Sequence, residues 1–309
     1  MTPPLFLFGT LRHTPLFKAV LGDISHLTIN PAVLRGFSVL SVAEGPFPMI
    51  QSDATAQAEG LCIVGLSDED YAKLDYYEGA FGYSLKPVQL FDGTKAQVYF
   101  PPPATWTAQG KWNFDQWAAE WGQISILSAN EVMQYRGIKT ADEIAQMFPM
   151  IRARASSTVN ATRSKHGVRT LPGHVEVTNT RRPYAQYFAL DEFDLRHTKF
   201  DGSMSDTVTR AVFRAPDAAL VLPYDPHTDR VLLVEQIRFG PFARGDQTLW
   251  QLEPVAGRLD AGEQPEQAAR REMMEEAGLA LKEMHPVGEV YCFPGTSSEF
   301  YYLYLGIAD

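Results

Sequence analysis

Short apolar runs alternate with turns over the first hundred residues, which is the patterning of strands. The first run, Leu5–Phe8, ends in a Gly9-Thr10 turn. Ser67 and Asp68 stand where side chains can cap a short helix running through Tyr77. Tyr83–Phe91 and Lys95–Phe100 flank Asp92-Gly93, a dipeptide suited to the tight turn of a hairpin. Pro101–Pro103 closes this β region, and Asn113–Phe148 takes on helical spacing rich in Trp and Ala. Ser128 with Glu131, and Thr140 with Glu143, have capping-box spacing and predict two helix starts.

A basic stretch follows, Arg152–Arg169, which reads as a solvated linker. Strands return from Leu171 onward at Ala219–Leu222, Arg230–Val234 and Trp250–Leu252, with a turn at Asp225–Asp229. Gln264–Ala277 has helical spacing, with Pro265 in its first turn and Gly278 at the position that ends it. No segment repeats another, so the pattern predicts two different α+β domains in tandem. Their expected bounds are 1–110 and 171–309, with a helical segment and polar linker over 111–170.

A length of 309 residues suits two domains, and 45% apolar with 21% charged residues is ordinary for a folded globular chain. The net charge of -10 argues against nonspecific binding to nucleic acid or anionic lipid, while leaving room for a small anionic ligand held through a metal. No apolar run approaches the roughly 20 residues of a membrane span, and the N-terminus lacks a signal-peptide pattern. The expectation is a cytoplasmic protein without membrane partners. Cys62 and Cys292, the only two cysteines, are expected to be buried thiols.

The chemistry concentrates on the last predicted helix. Glu272 and Glu276 are four apart and share a face, with Glu275 beside them. They gather near the helix C-terminus, where the dipole already favours cations, so the carboxylates need compensation. A hard divalent cation with oxygen ligands would supply it. Gly257 would let the Ala256 carbonyl approach the same cation, and Arg271 could hold Glu263 as an ion pair.

Spacing sharpens this: Gly257, five residues, Glu263, seven residues, Arg271-Glu272, apolar Met273, Glu275-Glu276, Gly278 and Leu279. The pattern resembles the Nudix box, and the flanks VLPYDPHTDRVLLVEQIRFGPF, LWQLEPVAG and FPGTSSE, with Pro294, resemble the ADP-ribose pyrophosphatase branch of that superfamily. The resemblance spans about Thr207–Asp309 and implies a Nudix α/β/α sandwich with a mixed sheet. It makes Glu272, Glu276 and the Ala256 carbonyl ligands of Mg2+, with Mn2+ the alternative, and Glu275 a helper supported by Glu263 and Arg271. It places Arg238 on the substrate diphosphate, Glu253 either in packing or beside the metal, and Glu299 near the ribose. The implied reaction is attack of water on a nucleoside diphosphate-linked substrate, ADP-ribose foremost, giving AMP and ribose 5-phosphate. A homodimer is also implied. The family fold runs through a further strand, catalytic loop and second helix, so against that resemblance a chain ending at Asp309 reads as either a fragment or a truncated product.

Phe8-Gly9-Thr10-Leu11-Arg12, with Leu74-Asp75-Tyr76-Tyr77-Glu78-Gly79 and Tyr83, resembles the gamma-glutamylcyclotransferase-like fold over residues 4 to 100. The resemblance implies a mixed β-barrel with helices. Gly9, Thr10 and Leu11 would offer backbone donors to a substrate carboxylate, and Glu78 would serve as general acid and base. Phe8 stands where that family usually has tyrosine, and Leu85 where it often has arginine. Three functional readings follow: diphosphate hydrolysis by the second half, cyclotransferase activity in the first with a non-catalytic second half, or a nucleotide sensor without turnover.

Overall fold

A computed structural model of the chain describes residues 2–163 and 173–308, which form two compact units divided at 155/156. The first contains β1 (Leu5–Leu7), a short 3-10 turn (Thr10–Arg12), α1 (Thr14–Leu21), β2 (Thr28–Val42) and β3 (Gly45–Val64). Next come α2 (Asp68–Gly79), β4 (Ser84–Gln89), β5 (Lys95–Phe100), β6 (Ala108–Lys111), α3 (Phe114–Gln134) and most of α4 (Ala141–Arg163). Its mixed sheet runs β4-β5-β1-β3-β2-β6, with β1 parallel to β5 and antiparallel to β3. Phe6, Phe8, Leu34, Ile50, Ala58 and Val98 form an apolar cluster on it.

Local signals set most of these elements. The Ser67 hydroxyl accepts from the Asp70 N–H while the Asp70 carboxylate accepts from the Ser67 N–H, fixing the start of α2. The β4–β5 hairpin pairs Ser84 with Phe100 through Gln89 with Lys95, and Gly93 takes a φ of +90° in its turn. Thr140 and Glu143 form their capping box at the start of α4. Ser128 and Glu131 do not: α3 runs unbroken past both. The buried Ser128 hydroxyl donates back to the Ile124 carbonyl, and Glu131 pairs with the buried Arg154. Tertiary pairing has claimed the side chains that the spacing assigned to a cap.

The predicted linker also needs correction. Arg152–Arg163 completes α4, with Ile151, Ala153, Ala155 and Val159 buried. Residues 164–172, the rest of the linker prediction, lie outside the described residues. Ser156, Ser157 and Asn160 of this stretch are bonded rather than solvated. In the second unit Ser156 accepts from the Gly262 N–H at 3.1 Å, and Ser157 from the Asp217 N–H at 2.8 Å.

The second unit continues with β7 (Val175–Ala185), β8 (Ala189–His197), β9 (Val208–Arg214), β10 (Ala218–Asp225), β11 (Arg230–Val231), β12 (Val234–Ile237) and α5 (Phe239–Arg244). It ends with β13 (Trp250–Glu253), β14 (Val255–Arg258), α6 (Pro265–Ala277), β15 (Leu281–Tyr291) and β16 (Phe300–Ala308). The main sheet runs β11-β10-β16-β15, with β14 also on β10; β10 and β16 are parallel. β7-β8-β9 and β12-β13 form separate small sheets. The strand expected over Arg230–Val234 is split because Arg230 and Val231 pair with β10, whereas Val234 pairs with Glu253 of β13.

Helix α6 is seated by Ala268, Ala269 and Met273, all fully buried in a cluster with Val221 and Val255. Cys62 is buried as expected, but Cys292 is exposed, because it follows the end of β15 in a loop. Among the described residues no helix is long and apolar enough to cross a membrane.

Candidate active sites

Helix α6 carries its carboxylates on the turns beyond its buried stripe. Gly278 ends it in the left-handed conformation, φ +65°, with its N–H bonded to the Met274 carbonyl. Arg271 organises the charges around it. Its guanidinium makes two 2.9 Å bonds to Glu263, one of 2.6 Å to Glu272 and one of 3.3 Å to Glu275, and donates to the Arg258 carbonyl at 3.0 Å. The expected Glu263 pair is present, and Arg271 reaches further along the helix than its sequence position suggested.

Glu272 lies against Gly257, where a Cβ would stand 1.8 Å from the Glu272 carboxyl carbon. The glycine therefore clears space for this side chain, a different use of its missing Cβ from the approach of the Ala256 carbonyl foreseen in the sequence. Burial holds the Glu272 carboxyl above the usual carboxylate range; Arg271 opposes that, and Glu275 and Glu276 add to it. Glu276 accepts from the Gln236 amide at 2.9 Å and the Ala256 N–H at 3.2 Å. A residue in a strand points its N–H and C=O to one side, so the Ala256 carbonyl also faces this edge. Glu275 and Glu276 are both exposed, Glu275 with 59% of its side chain accessible.

As the side chains stand, no three His, Cys, Asp or Glu groups among the described residues form a metal cluster. The donor chemistry nonetheless fits a hard divalent cation. Glu272 and Glu275 share one arginine that is also committed to Glu263, and Glu276 adjoins a backbone edge at Ala256. Glu272 and Glu276 with the Ala256 carbonyl are the groups suited to Mg2+.

Around this end, Arg238 and Glu253 pair through bonds of 2.5 to 3.0 Å, and the Arg238 side chain is 41% exposed. Glu299 accepts from Cys292 and Tyr301, each at 3.2 Å. Two participants escaped the sequence reading. Gln236 holds Glu276, and its position two residues before Arg238 on a strand was the available signal. Arg258 lies over the Tyr187 and Phe188 rings, 4.4 and 5.9 Å from their centroids, and burial lowers its pKa. No local pattern brings Tyr187, on the β7–β8 connection, to Arg258.

The first unit has a cavity of about 100 Å³ lined by Gly9, Thr10 and Leu11 at the end of β1 and by Glu78 on α2. Phe8, Phe47, Tyr77, Phe81, Tyr83 and Tyr99 supply aromatic walls. The N–H groups opening a 3-10 turn have no acceptor within it, so Thr10 and Leu11 present donors. Burial pushes the Glu78 carboxyl up to about 7. The structure thus gathers at one cavity all four first-unit residues singled out from the sequence.

Residues 214–309 match the NUDIX domain family, and residues 5–117 match the gamma-glutamyl cyclotransferase, AIG2-like family. The ADP-ribose pyrophosphatase of Escherichia coli is 42% identical over 135 residues, covering 44% of this chain and 64% of that protein. The ADP-ribose pyrophosphatase of Haemophilus influenzae is 35% identical over 137 residues, covering 44% and 63%. The GDP-mannose pyrophosphatase of Yersinia pestis is 34% identical over 112 residues, covering 36% and 54%. The chain spans less than two thirds of the length of each of these relatives. The chain thus carries a segment matching the gamma-glutamyl cyclotransferase, AIG2-like family at residues 5–117 and one matching the NUDIX domain family at residues 214–309, the latter similar to ADP-ribose pyrophosphatases.

Proposed function

We propose that the second unit hydrolyses the diphosphate of a nucleoside diphosphate sugar, ADP-ribose foremost, to AMP and ribose 5-phosphate in a Mg2+-dependent reaction. The observation that carries this reading is the end of α6, where Glu272, Glu275 and Glu276 converge and Gly257 opens the space that Glu272 fills. The similarity to ADP-ribose and GDP-mannose pyrophosphatases supports the substrate class. When bound at Glu272, Glu276 and the Ala256 carbonyl, a divalent cation supplies charge neutralisation at the diphosphate and a lowered water pKa.

The protein's own groups have separable tasks in this reading. Arg271 fixes Glu272 and Glu263, so that the loop between Gly257 and α6 keeps one position. Arg238 offers a forked donor to phosphate oxygens, aligned by Glu253. Glu299 addresses the ribose hydroxyls. The proposal includes the cytoplasmic setting and homodimer expected from the sequence.

AMP release from ADP-ribose, followed by chromatography with Mg2+ present, tests the reading. Chelation or Glu276→Gln should lower the rate by about 100-fold or more, matching loss of several kcal/mol of charge stabilisation. Unchanged turnover under either condition would remove the metal and carboxylate mechanism. Tight ADP-ribose binding with no product would select the sensor reading.

The Glu78 cavity supports a second activity, of the gamma-glutamyl cyclotransferase type. A carboxyl group titrating near neutrality can take a proton from an attacking amine and return it to a leaving nitrogen. Gly9, Thr10 and Leu11 would hold the carboxylate of the gamma-glutamyl part.

A further inference from the structure

Between Gly257 and Glu263 the box pattern leaves five positions open, and Arg258 occupies the first of them, at the end of β14. Its place in the fold is beside the α6 glutamates. The glycine before it lies against Glu272, and its own carbonyl accepts from Arg271, which also bonds Glu272. Its guanidinium stands over the Tyr187 ring, 4.4 Å from the centroid, with Phe188 behind at 5.9 Å. A guanidinium stacked on an aromatic face keeps its planar donors in one orientation.

The charge of Arg258 is not neutralised at that place. Among the described residues no carboxylate pairs with it; Glu272, Glu299 and Asp260 act on it from beyond ion-pairing distance, and burial disfavours its charged form. A half-buried cation that has given up water without gaining an anion is suited to an anionic ligand. A second guanidinium, Arg238, approaches the same glutamates from another side. Gln236, two residues earlier along an extended segment and therefore on the same face, bonds Glu276, and the Arg238 N–H continues the strand pairing to the Leu249 carbonyl. Arg258 thus adjoins Glu272 and Arg238 adjoins Glu276, so that the two arginines flank the glutamates.

We propose that Arg258 is a specificity-determining residue that binds one phosphoryl group of the substrate diphosphate while Arg238 binds the other. This rests on reading the α6 glutamates as the site of diphosphate hydrolysis. Arg258 moves no proton; its fork engages non-bridging phosphoryl oxygens, and the two arginines together favour a diphosphate over either monophosphate.

The test uses the full chain with Mg2+ and reads ADP-ribose turnover together with competition by two pairs of compounds, AMP with adenosine and ribose 5-phosphate with ribose. In the parent the phosphorylated member of each pair should bind more tightly. Arg258→Gln should raise KM for ADP-ribose about 10- to 100-fold, the scale of a charge-assisted contact, with a smaller effect on kcat. It should also narrow the affinity gap within one pair, and Arg238→Gln should narrow the gap within the other. Arg258→Lys, which keeps the charge and loses the fork, should recover part of the affinity. Melting temperatures of the variants check that the fold is intact. An unchanged KM, a fall in kcat alone, or narrowing of the same pair by both substitutions overturns the proposal. Should the parent not hydrolyse ADP-ribose, the hydrolase reading fails and calorimetry with ADP-ribose decides: binding weakened about tenfold or more by Arg258→Gln sustains the role of Arg258, and equal or absent binding ends it.

Discussion

Glu78 and Glu272 show how one residue type acquires different properties from its surroundings. Glu272 is half enclosed, but Arg271 bonds it and two further glutamates crowd it. Glu78 lies in a cavity walled by aromatic side chains, and burial brings its carboxyl up to about 7. The unfolded chain ionises such a group near 4.5. Because the folded value is the higher one, the associated stability is fully present below about 4.5 and is lost as pH rises through about 7. Glu78→Gln, which stays neutral, should therefore match the parent in acid and exceed it above pH ~8, by at most about 3 kcal/mol. Urea unfolding at pH ~5 and ~8 measures the difference. A gap independent of pH would show that Glu78 is not protonated in the folded protein near neutrality.

At the scale of elements, α6 and the loop before it behave as one piece because Arg271 joins them. Its planar fork spans Glu263 on the loop and Glu272 on the helix while also meeting the Arg258 carbonyl. An ammonium is a point donor and cannot reproduce that fork. Arg271→Lys should lower AMP release from ADP-ribose about tenfold, with the far-ultraviolet dichroism unchanged. Full activity in that variant would mean that the loop is held by other contacts, the Ser156 bond to Gly262 first among them. These elements also show which signals survive folding. The α6 helix and its glycine stop were legible because helical spacing dictates them, and the Glu263–Arg271 pair because the two stand at fixed places in the box pattern. Thr140 and Glu143 cap α4, yet the same spacing at Ser128 and Glu131 lies inside α3, since Arg154 from α4 draws Glu131 into a buried pair. Basic and polar composition concealed the end of α4 for a similar reason: its serines bond a distant loop. The Tyr187–Arg258 contact and the α3–α4 wall of the cavity depend on long-range packing, which no local spacing records.

At the scale of the whole molecule, two compact units carry two carboxylate sites with different chemistry. In the proposed reading, one gathers glutamates to hold a cation and the other sets a single buried glutamate to exchange a proton. The reactions share no substrate or product, so the two activities should respond separately to substitution. Glu78→Gln should abolish 5-oxoproline release from gamma-glutamyl-alanine and keep AMP release from ADP-ribose within about twofold, a difference below roughly 0.4 kcal/mol in activation free energy. Glu276→Gln should do the reverse, and chelation should follow Glu276→Gln because only the diphosphate reaction calls on a metal. Both assays on each purified full-length variant give a four-way comparison in which a folding defect would appear as loss in both columns. A single substitution that extinguished both activities in a protein of unchanged melting temperature would show instead that one site serves both reactions, and the assignment of separate chemistry to Glu78 and to the α6 glutamates would fall.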